Sequence, residues 1–105
     1  DIKRVFWIYD VPGGGSRGSH AYRSQEEIIV ALSGSFDVLL TDQRGVEFKL
    51  SMNRAYEGLY IPKLTWRSIE NFSTNSCALI LSSSNFDRDD YIYSYEDFLN
   101  SKNGN

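Results

Sequence analysis

The chain has 105 residues, one cysteine and a net charge of −3 at pH 7, a size that fits one folded domain over residues 1–105. A hydrophobic fraction of 41% excludes a disordered chain, and the negative charge excludes a general basic field for nucleic acid. No apolar run approaches the roughly 20 residues that cross a bilayer, so we expect no membrane partner. A lone cysteine cannot form an internal disulfide, which favours a reducing compartment such as the cytoplasm.

Short strands separated by turns are predicted along most of the chain. Residues 5–9 are rich in β-branched and aromatic side chains and run into a glycine-rich loop at 10–15. Further strands are predicted at residues 28–32, 36–41, 46–50, 59–61, 66–72 and 78–81. Strands of this number and length are typical of a sandwich or barrel.

Two local patterns predict particular geometry. Residues 42–45 predict a tight hairpin, and the strict alternation after it places Val46, Phe48 and Leu50 on the core face. After residue 84 the chain becomes polar and turn-like, and residues 95–99 predict a short C-terminal helix with Ser94 as its N-cap. The chain is therefore predicted to be all-β with one short helix.

Two stretches resemble, in spacing, the two signatures of the cupin barrels. Residues 14–34 reproduce the first signature, with Tyr22 in place of its second histidine. Residues 62–71 reproduce the second signature, with Arg67 in place of its histidine. The resemblance implies a small cupin-type (RmlC-like) antiparallel β-barrel, or jelly roll, whose mouth carries the site.

The four positions that hold a metal in cupins read His20, Tyr22, Glu27 and Arg67. Imidazole and carboxylate suit zinc, iron, nickel and manganese, but an arginine stays protonated in proteins and cannot act as a ligand. We therefore expect no metal and no other cofactor. A mouth with one imidazole, one phenol, one carboxylate and a fixed cation is suited to binding an anion or stabilising a developing one.

Five motifs occur in one order along nearly the whole chain: IKRVF with IYD (2–10), RGSHA (17–21), LSGS (32–35), GLYIP with Trp66 (58–66), and FD, DYI and YEDFL (86–99). In that order they resemble the sugar-nucleotide 3,4-ketoisomerases, cupins that act on thymidine-diphosphate-linked 4-keto-6-deoxyhexoses. The chain departs from the family motif R-G-x-H-A-H at Tyr22. It also has Arg67 where many relatives have histidine, and Tyr93 where the closing motif has arginine.

The resemblance implies an isomerase that moves a ketone from C4 to C3 through an enediol. The base must remove the proton on C3, and histidine, with an unperturbed pKa near 6.5, is the residue suited to this task. The resemblance further implies a dTDP-sugar substrate, a homodimer, deoxysugar biosynthesis in the bacterial cytoplasm, and an N-terminal segment ahead of the strand that opens this chain.

The predicted catalytic residues are His20 and Tyr22. Because a phenol is a poor base, Tyr22 is expected to donate to substrate oxygens or simply to pack. Glu27 is expected to orient His20, although it could be a plain strand carboxylate. The full set predicted to bind substrate is Arg4, Arg17, Arg67, Glu27, Tyr60 and Trp66.

Some of these residues have an equally simple structural interpretation. Arg4 could bind diphosphate or cap the edge of a sheet, and Arg17 and Arg67 could each be solvated surface arginines. Tyr60 and Trp66 could be core or wall residues rather than a platform for thymine. At the level of function, the alternatives are a non-catalytic sugar-nucleotide-binding cupin and an epimerase of keto-sugar nucleotides.

Overall fold

The computed structural model describes residues 2–101, which form two antiparallel sheets packed against each other. In chain order the elements are β1 (Arg4–Tyr9), β2 (Arg17–Tyr22), β3 (Glu27–Ser33), β4 (Phe36–Thr41), β5 (Glu47–Met52), β6 (Gly58–Ile61), β7 (Trp66–Glu70), β8 (Cys77–Ser82), β9 (Tyr91–Ile92) and α1 (Tyr95–Asn100). One sheet has the order β1-β8-β3-β6 and the other β5-β4-β7-β2-β9. The prediction of an all-β fold with a short C-terminal helix is confirmed.

The core lies between the two sheets and follows from alternation along the strands. In β7 and β8 every second side chain is buried, because successive side chains of a strand point to opposite faces. The buried apolar set is Val11, Ile29, Ala31, Phe36, Val38, Leu40, Met52, Ile61, Ile69, Phe72, Ala78 and Ile80. A small second cluster, with Phe98 of α1 at its centre, forms on the outer face of the five-stranded sheet.

The strand after the hairpin is less buried than its pattern predicts. Phe48 pairs with Leu40 and Leu50 with Val38, so both lie on the face that carries the core. Even so, Val46, Phe48 and Leu50 are 43%, 50% and 37% exposed. The predicted core face is confirmed for Phe48 and Leu50, but these side chains stay exposed because β5 is an edge strand, and alternation determines a face without determining what packs on it.

The C-terminal helix begins where its cap predicts. The hydroxyl of Ser94 accepts a hydrogen bond from the backbone N–H of Asp97 at 3.3 Å, which satisfies one free donor of the first turn. Within residues 2–101, the structure contains no helix that is long and apolar enough to span a membrane.

Candidate active site

A β-bulge in β2 places the histidine of the first motif inside the barrel. Arg17 lies opposite Ile69 on β7 and His20 lies opposite Arg67, with a register shift between Gly18 and His20. Ser19, which lies between these two residues, has a φ of 65°, and Gly18 has a φ of 99°. Residues directly opposite each other on paired strands share a face, so Arg17 and His20 both face inward. Two residues three positions apart on a regular strand would face opposite sides, and the extra residue of the bulge is what lets His20 face inward. Sequence reasoning did not predict β2 as a strand, because it lacks an apolar alternation.

The imidazole of His20 is held in the tautomer that a base requires. The backbone carbonyl of Gly18 hydrogen-bonds the ring. The ring atom Nε2 is buried and has no hydrogen-bond partner within the described part of the chain, so Nδ1 is the nitrogen that donates to Gly18. Burial, followed by the charges of Arg67 and Arg4, lowers the pKa of His20 from 6.5 to about 4. The ring is therefore neutral at pH 7, and its Nε2 is available to accept a proton.

Arg67 and Glu27 form a buried ion pair beneath the histidine. The Nη1 of Arg67 lies 2.5 Å from Oε1 of Glu27, and its Nη2 donates to the carbonyl of Thr65 at 3.1 Å. The two side chains are only 2% and 3% exposed. Burial raises the pKa of Glu27, and the guanidinium of Arg67 opposes that rise. Each charge thus depends on the other for its stability in the interior.

This pairing corrects the predicted role of Glu27. We expected Glu27 to orient His20, but its carboxylate binds the guanidinium of Arg67 instead. A full opposite charge competes successfully against a neutral imidazole for a buried carboxylate. The carbonyl of Gly18 orients the imidazole instead. Because this carbonyl belongs to the backbone, no side-chain pattern in the sequence could predict its role.

Tyr22 lies at the centre of the site and is 1% exposed. The guanidinium carbon of Arg67 sits 4.9 Å from the centroid of its ring, a cation–π contact, and the ring of His20 packs edge-on at 4.8 Å. Burial raises the pKa of Tyr22, and the neighbouring Glu27 and Tyr91 raise it further. The phenol is therefore protonated at neutral pH and acts as a hydrogen-bond donor, not as a base.

A small cavity joins these groups. It measures about 30 Å³ and is lined by His20, Tyr22, Glu27 and Arg67 together with apolar side chains of both sheets. Such a volume holds no more than about two water molecules, so a sugar ring has to approach the histidine from the rim. Arg4 belongs to this rim, with its guanidinium 4.8 Å from the ring of Phe6 and in hydrogen-bonding contact with Tyr91.

Trp66 lies away from His20, in agreement with its interpretation as a core or wall residue. It precedes the inward-facing Arg67 on β7 and therefore points to the opposite face. There its ring packs at 5.4 Å and 5.9 Å from the rings of Tyr95 and Phe98, against the C-terminal helix. Trp66 is a structural residue of the second cluster.

Tyr60 is also outside the site. It precedes the buried Ile61 on β6, so its side chain points away from the barrel interior and is 53% exposed. Arg17 shares the inner face with His20 but is exposed at the start of β2, where its Nη1 donates to the carbonyl of Ser16 at 2.7 Å. Of the eight predicted site residues, the structure brings together Arg4, His20, Tyr22, Glu27 and Arg67.

The structure adds one residue that sequence reasoning missed. Tyr91 of β9 is the direct cross-strand partner of Tyr22, and its ring lies 4.6 Å from that of Tyr22 and 5.3 Å from that of His20. The alternation of tyrosine and apolar residues in the closing motif is a signal that could have revealed it. A polar segment of this kind is easily taken for a turn when only its composition is considered.

The single histidine makes the shifted pKa directly measurable. We expect the ring protons of His20 to titrate in NMR spectra near pH 4 in the folded protein and near 6.5 in urea. Since the unfolded chain binds this proton more tightly, the free energy of unfolding should fall as the pH drops from 6.5 towards 4. Titration of the folded protein near 6.5 would show that His20 is solvated and not held as described.

The donor set does not fit the metal of a typical cupin. Among residues 2–101 there is no group of three or more histidine, cysteine, aspartate or glutamate side chains that could hold a metal ion. Arg67 occupies the position of a ligand, and its charge is already paired with the carboxylate of Glu27. The fold and these residues define a two-sheet barrel whose interior carries acid–base side chains in place of metal ligands.

Comparison with known proteins agrees with this class. The chain belongs to the family described as "FdtA: WxcM-like, C-terminal", whose model matches residues 1–103. It is 34% identical over 97 residues to the TDP-4-oxo-6-deoxy-alpha-D-glucose-3,4-oxoisomerase of Aneurinibacillus thermoaerophilus, covering 92% of this chain and 69% of that protein. The family resemblance drawn from the motifs is thereby confirmed.

Solved structures show the same relationship. WlaRA, a TDP-fucose-3,4-ketoisomerase from Campylobacter jejuni, matches with a TM-score of 0.93 and 38% identity over 99% of this chain and 76% of its own. QdtA, a sugar 3,4-ketoisomerase from Thermoanaerobacterium thermosaccharolyticum, matches with a TM-score of 0.94 and 31% identity over 99% and 75%. The RmlC epimerase of Mycobacterium tuberculosis shares the fold alone, at a TM-score of 0.76 and 17% identity. The cupin-type (RmlC-like) fold is thus confirmed, and the chain's family is one of isomerases.

Proposed function

We propose that the protein is a sugar-nucleotide 3,4-ketoisomerase, which moves a ketone between C4 and C3 of a dTDP-linked 6-deoxyhexose through an enediol and without metal. The observation that carries the proposal is the state of His20. Its Nδ1 is committed to the carbonyl of Gly18, and its Nε2 is buried without a partner among residues 2–101. A neutral imidazole with one free nitrogen at the rim of a barrel is a general base ready for use.

The proton on C3 is acidic because C3 neighbours the C4 carbonyl. In the proposed reaction Nε2 of His20 removes this proton, and the resulting imidazolium returns a proton to C4 of the enediol. Negative charge develops on the substrate oxygens during both steps, and the guanidinium of Arg4 at the rim is the cation suited to stabilise it. Arg67 acts mainly by keeping His20 neutral and Glu27 ionised.

The substrate class is supported by complexes of the relatives. QdtA has been solved with TDP, and a variant of it with TDP-4-keto-6-deoxyglucose. In this chain we propose that the exposed guanidinium of Arg17 binds the diphosphate, since it lies beyond His20 on the same face of β2. We further propose that the enzyme acts in the cytoplasm, in bacterial deoxysugar biosynthesis that supplies O-antigen or S-layer glycans. Cys77 is a free thiol, which is what the reducing environment of the cytoplasm maintains.

One incubation separates this function from its two alternatives. The protein is mixed with TDP-4-keto-6-deoxyglucose in deuterated water containing EDTA, and the sugar is followed by NMR. A 3,4-ketoisomerase gives a 3-keto product with deuterium entering at the exchanging carbons. An epimerase gives exchange with the ketone still at C4, and a binding protein gives neither. Activity that EDTA abolishes and a metal restores would overturn the metal-free part of the proposal.

We also propose that the protein is a homodimer joined through the outer face of the four-stranded sheet. Val5, Trp7 and Tyr9 of the edge strand β1 are 43%, 53% and 68% exposed on this face. The register continues the apolar surface across the sheet, as Val5 pairs with Leu81 and Trp7 with Leu79. A continuous apolar sheet face is the kind of surface that a two-fold axis buries against its own copy.

A charge in the middle of this face should therefore separate the protomers. We expect Trp7→Glu to sediment as a monomer at concentrations where the wild type is a dimer, because the carboxylate would be buried without a partner. Tyr56→Glu is the matched control, since Tyr56 is 81% exposed in the turn before β6, at the opposite edge of the sheet from β1. A wild-type protein that sediments as a monomer would contradict the proposed dimer.

A further inference from the structure

A line of polar contacts crosses the mouth of the barrel from one strand to the next. The guanidinium of Arg4 is a neighbour of the hydroxyls of both Tyr91 and Tyr22, the two tyrosines are neighbours of each other, and Tyr22 stands next to the carboxylate of Glu27. The two tyrosines are held in this order by the backbone, as direct cross-strand partners on β2 and β9 with ring centroids 4.6 Å apart. The line begins at the rim and ends at the buried ion pair.

The two hydroxyls differ in how well their surroundings would tolerate a phenolate. A tyrosine that gives its hydrogen to a substrate oxygen becomes negatively charged. At Tyr22 this charge would be buried beside the carboxylate of Glu27, and burial and that carboxylate both raise the pKa of Tyr22. Tyr22 is therefore poorly placed to give up its hydrogen.

Tyr91 is placed differently from Tyr22. Tyr91 is only half-buried, whereas Tyr22 is 1% exposed. Its ring lies 5.3 Å from that of His20 and stacks at 5.2 Å on the exposed Tyr93, which positions Tyr91 between the base and the solvent. It is also the hydroxyl nearest to the entrance along the line, with the cation of Arg4 beside it.

We propose that Tyr91 is a further catalytic residue, whose hydroxyl carries the oxygen-bound proton of the substrate between O3 and O4 while His20 carries the carbon-bound one. Tyr22 is then a positioning residue that holds Tyr91 and Glu27 in place. The proposal rests on the proposed 3,4-ketoisomerase function and deepens it, because it assigns the second proton transfer that every such reaction requires.

The steps balance without any other reactant. Nε2 of His20 takes the proton from C3, the C3–H electron pair forms the C3–C4 double bond, and the carbonyl electron pair moves to O4, which takes the proton of Tyr91. The Tyr91 phenolate, stabilised by Arg4, then removes the proton from O3 of the enediol. As the O3 electron pair forms the C3 carbonyl, the double-bond pair takes the proton of the His20 imidazolium at C4. Both side chains end as they began.

Tyr91→Phe tests this assignment, with Tyr95→Phe as the matched control on the C-terminal helix. The assay is the conversion of TDP-4-keto-6-deoxyglucose to its 3-keto isomer by the whole protein. For Tyr91→Phe we expect kcat to fall about 100-fold or more with KM changed by less than about threefold, as for a lost acid–base group. Tyr95→Phe should match the wild type in both. A smaller loss of kcat in Tyr91→Phe, in a wild type that is active, overturns the assignment.

A second measurement removes any dependence on how well the variant folds. A fluorinated tyrosine incorporated at position 91 is a stronger acid of almost unchanged size. We expect it to move the alkaline limb of the pH–rate profile to lower pH, and the same residue at position 95 to leave the profile unchanged. A limb that does not move overturns the role of Tyr91. A wild type with no 3-keto product is a separate result, which would reject the proposed function itself.

Discussion

His20→Asn is expected to abolish turnover while leaving nucleotide binding intact. Asparagine keeps a side-chain N–H that can reach the carbonyl of Gly18, but it has no group that accepts a proton at neutral pH. We expect kcat to fall by at least about 10³-fold, within the range found when a general base is removed. The readouts are product formation followed by NMR and the dissociation constant of TDP measured by calorimetry.

Arg17→Ala provides the contrast for this experiment. Its guanidinium is exposed and does not line the cavity, so its loss should raise KM and weaken TDP binding with little change in kcat. If His20→Asn kept near wild-type turnover, His20 would not be the base and the proposed mechanism would be lost. If Arg17→Ala lost kcat alone, Arg17 would belong to the chemistry rather than to binding.

Glu27→Leu is expected to have the largest effect on stability. The substitution leaves the guanidinium of Arg67 buried at 2% exposure without its carboxylate. Removing one partner of a buried ion pair typically costs about 3–5 kcal/mol, a large part of the stability of a small domain. The measurement is the free energy of unfolding from urea denaturation followed by fluorescence.

The double variant Glu27→Leu, Arg67→Met is the control, because it removes both charges and replaces them with side chains of similar shape. We expect it to recover most of the lost free energy of unfolding, since two apolar residues need no partners. A single variant as stable as the wild type would show that the pair contributes nothing to the fold.

The parts of the fold that depend on local sequence were predicted well. The turn at residues 42–45 and the cap at Ser94 each depend on a few adjacent residues, and both occur where predicted. Burial along β5 was not predictable in this way. Phe48 and Leu50 alternate as core residues do, but whether a second sheet reaches over them depends on distant parts of the chain.

The site was predicted in part, for related reasons. Motif spacing identified His20 and Glu27, because the signature records where side chains meet in a known barrel. It did not separate the two faces of a strand, and so Trp66 was grouped with Arg67 although adjacent strand residues point in opposite directions. Tyr91 was missed because only the pairing of β2 with β9 brings it to the histidine.

The fate of the proton on C3 tests the central claim most directly. TDP-4-keto-6-deoxyglucose carrying deuterium at C3 is incubated with the wild-type protein in ordinary water, and the label is followed by NMR under single-turnover conditions. If His20 carries this proton from C3 to C4, the label leaves C3 as the 3-keto product forms, and part of it appears at C4 before exchanging with solvent. If the protein binds the sugar nucleotide but the label stays at C3, the account is contradicted.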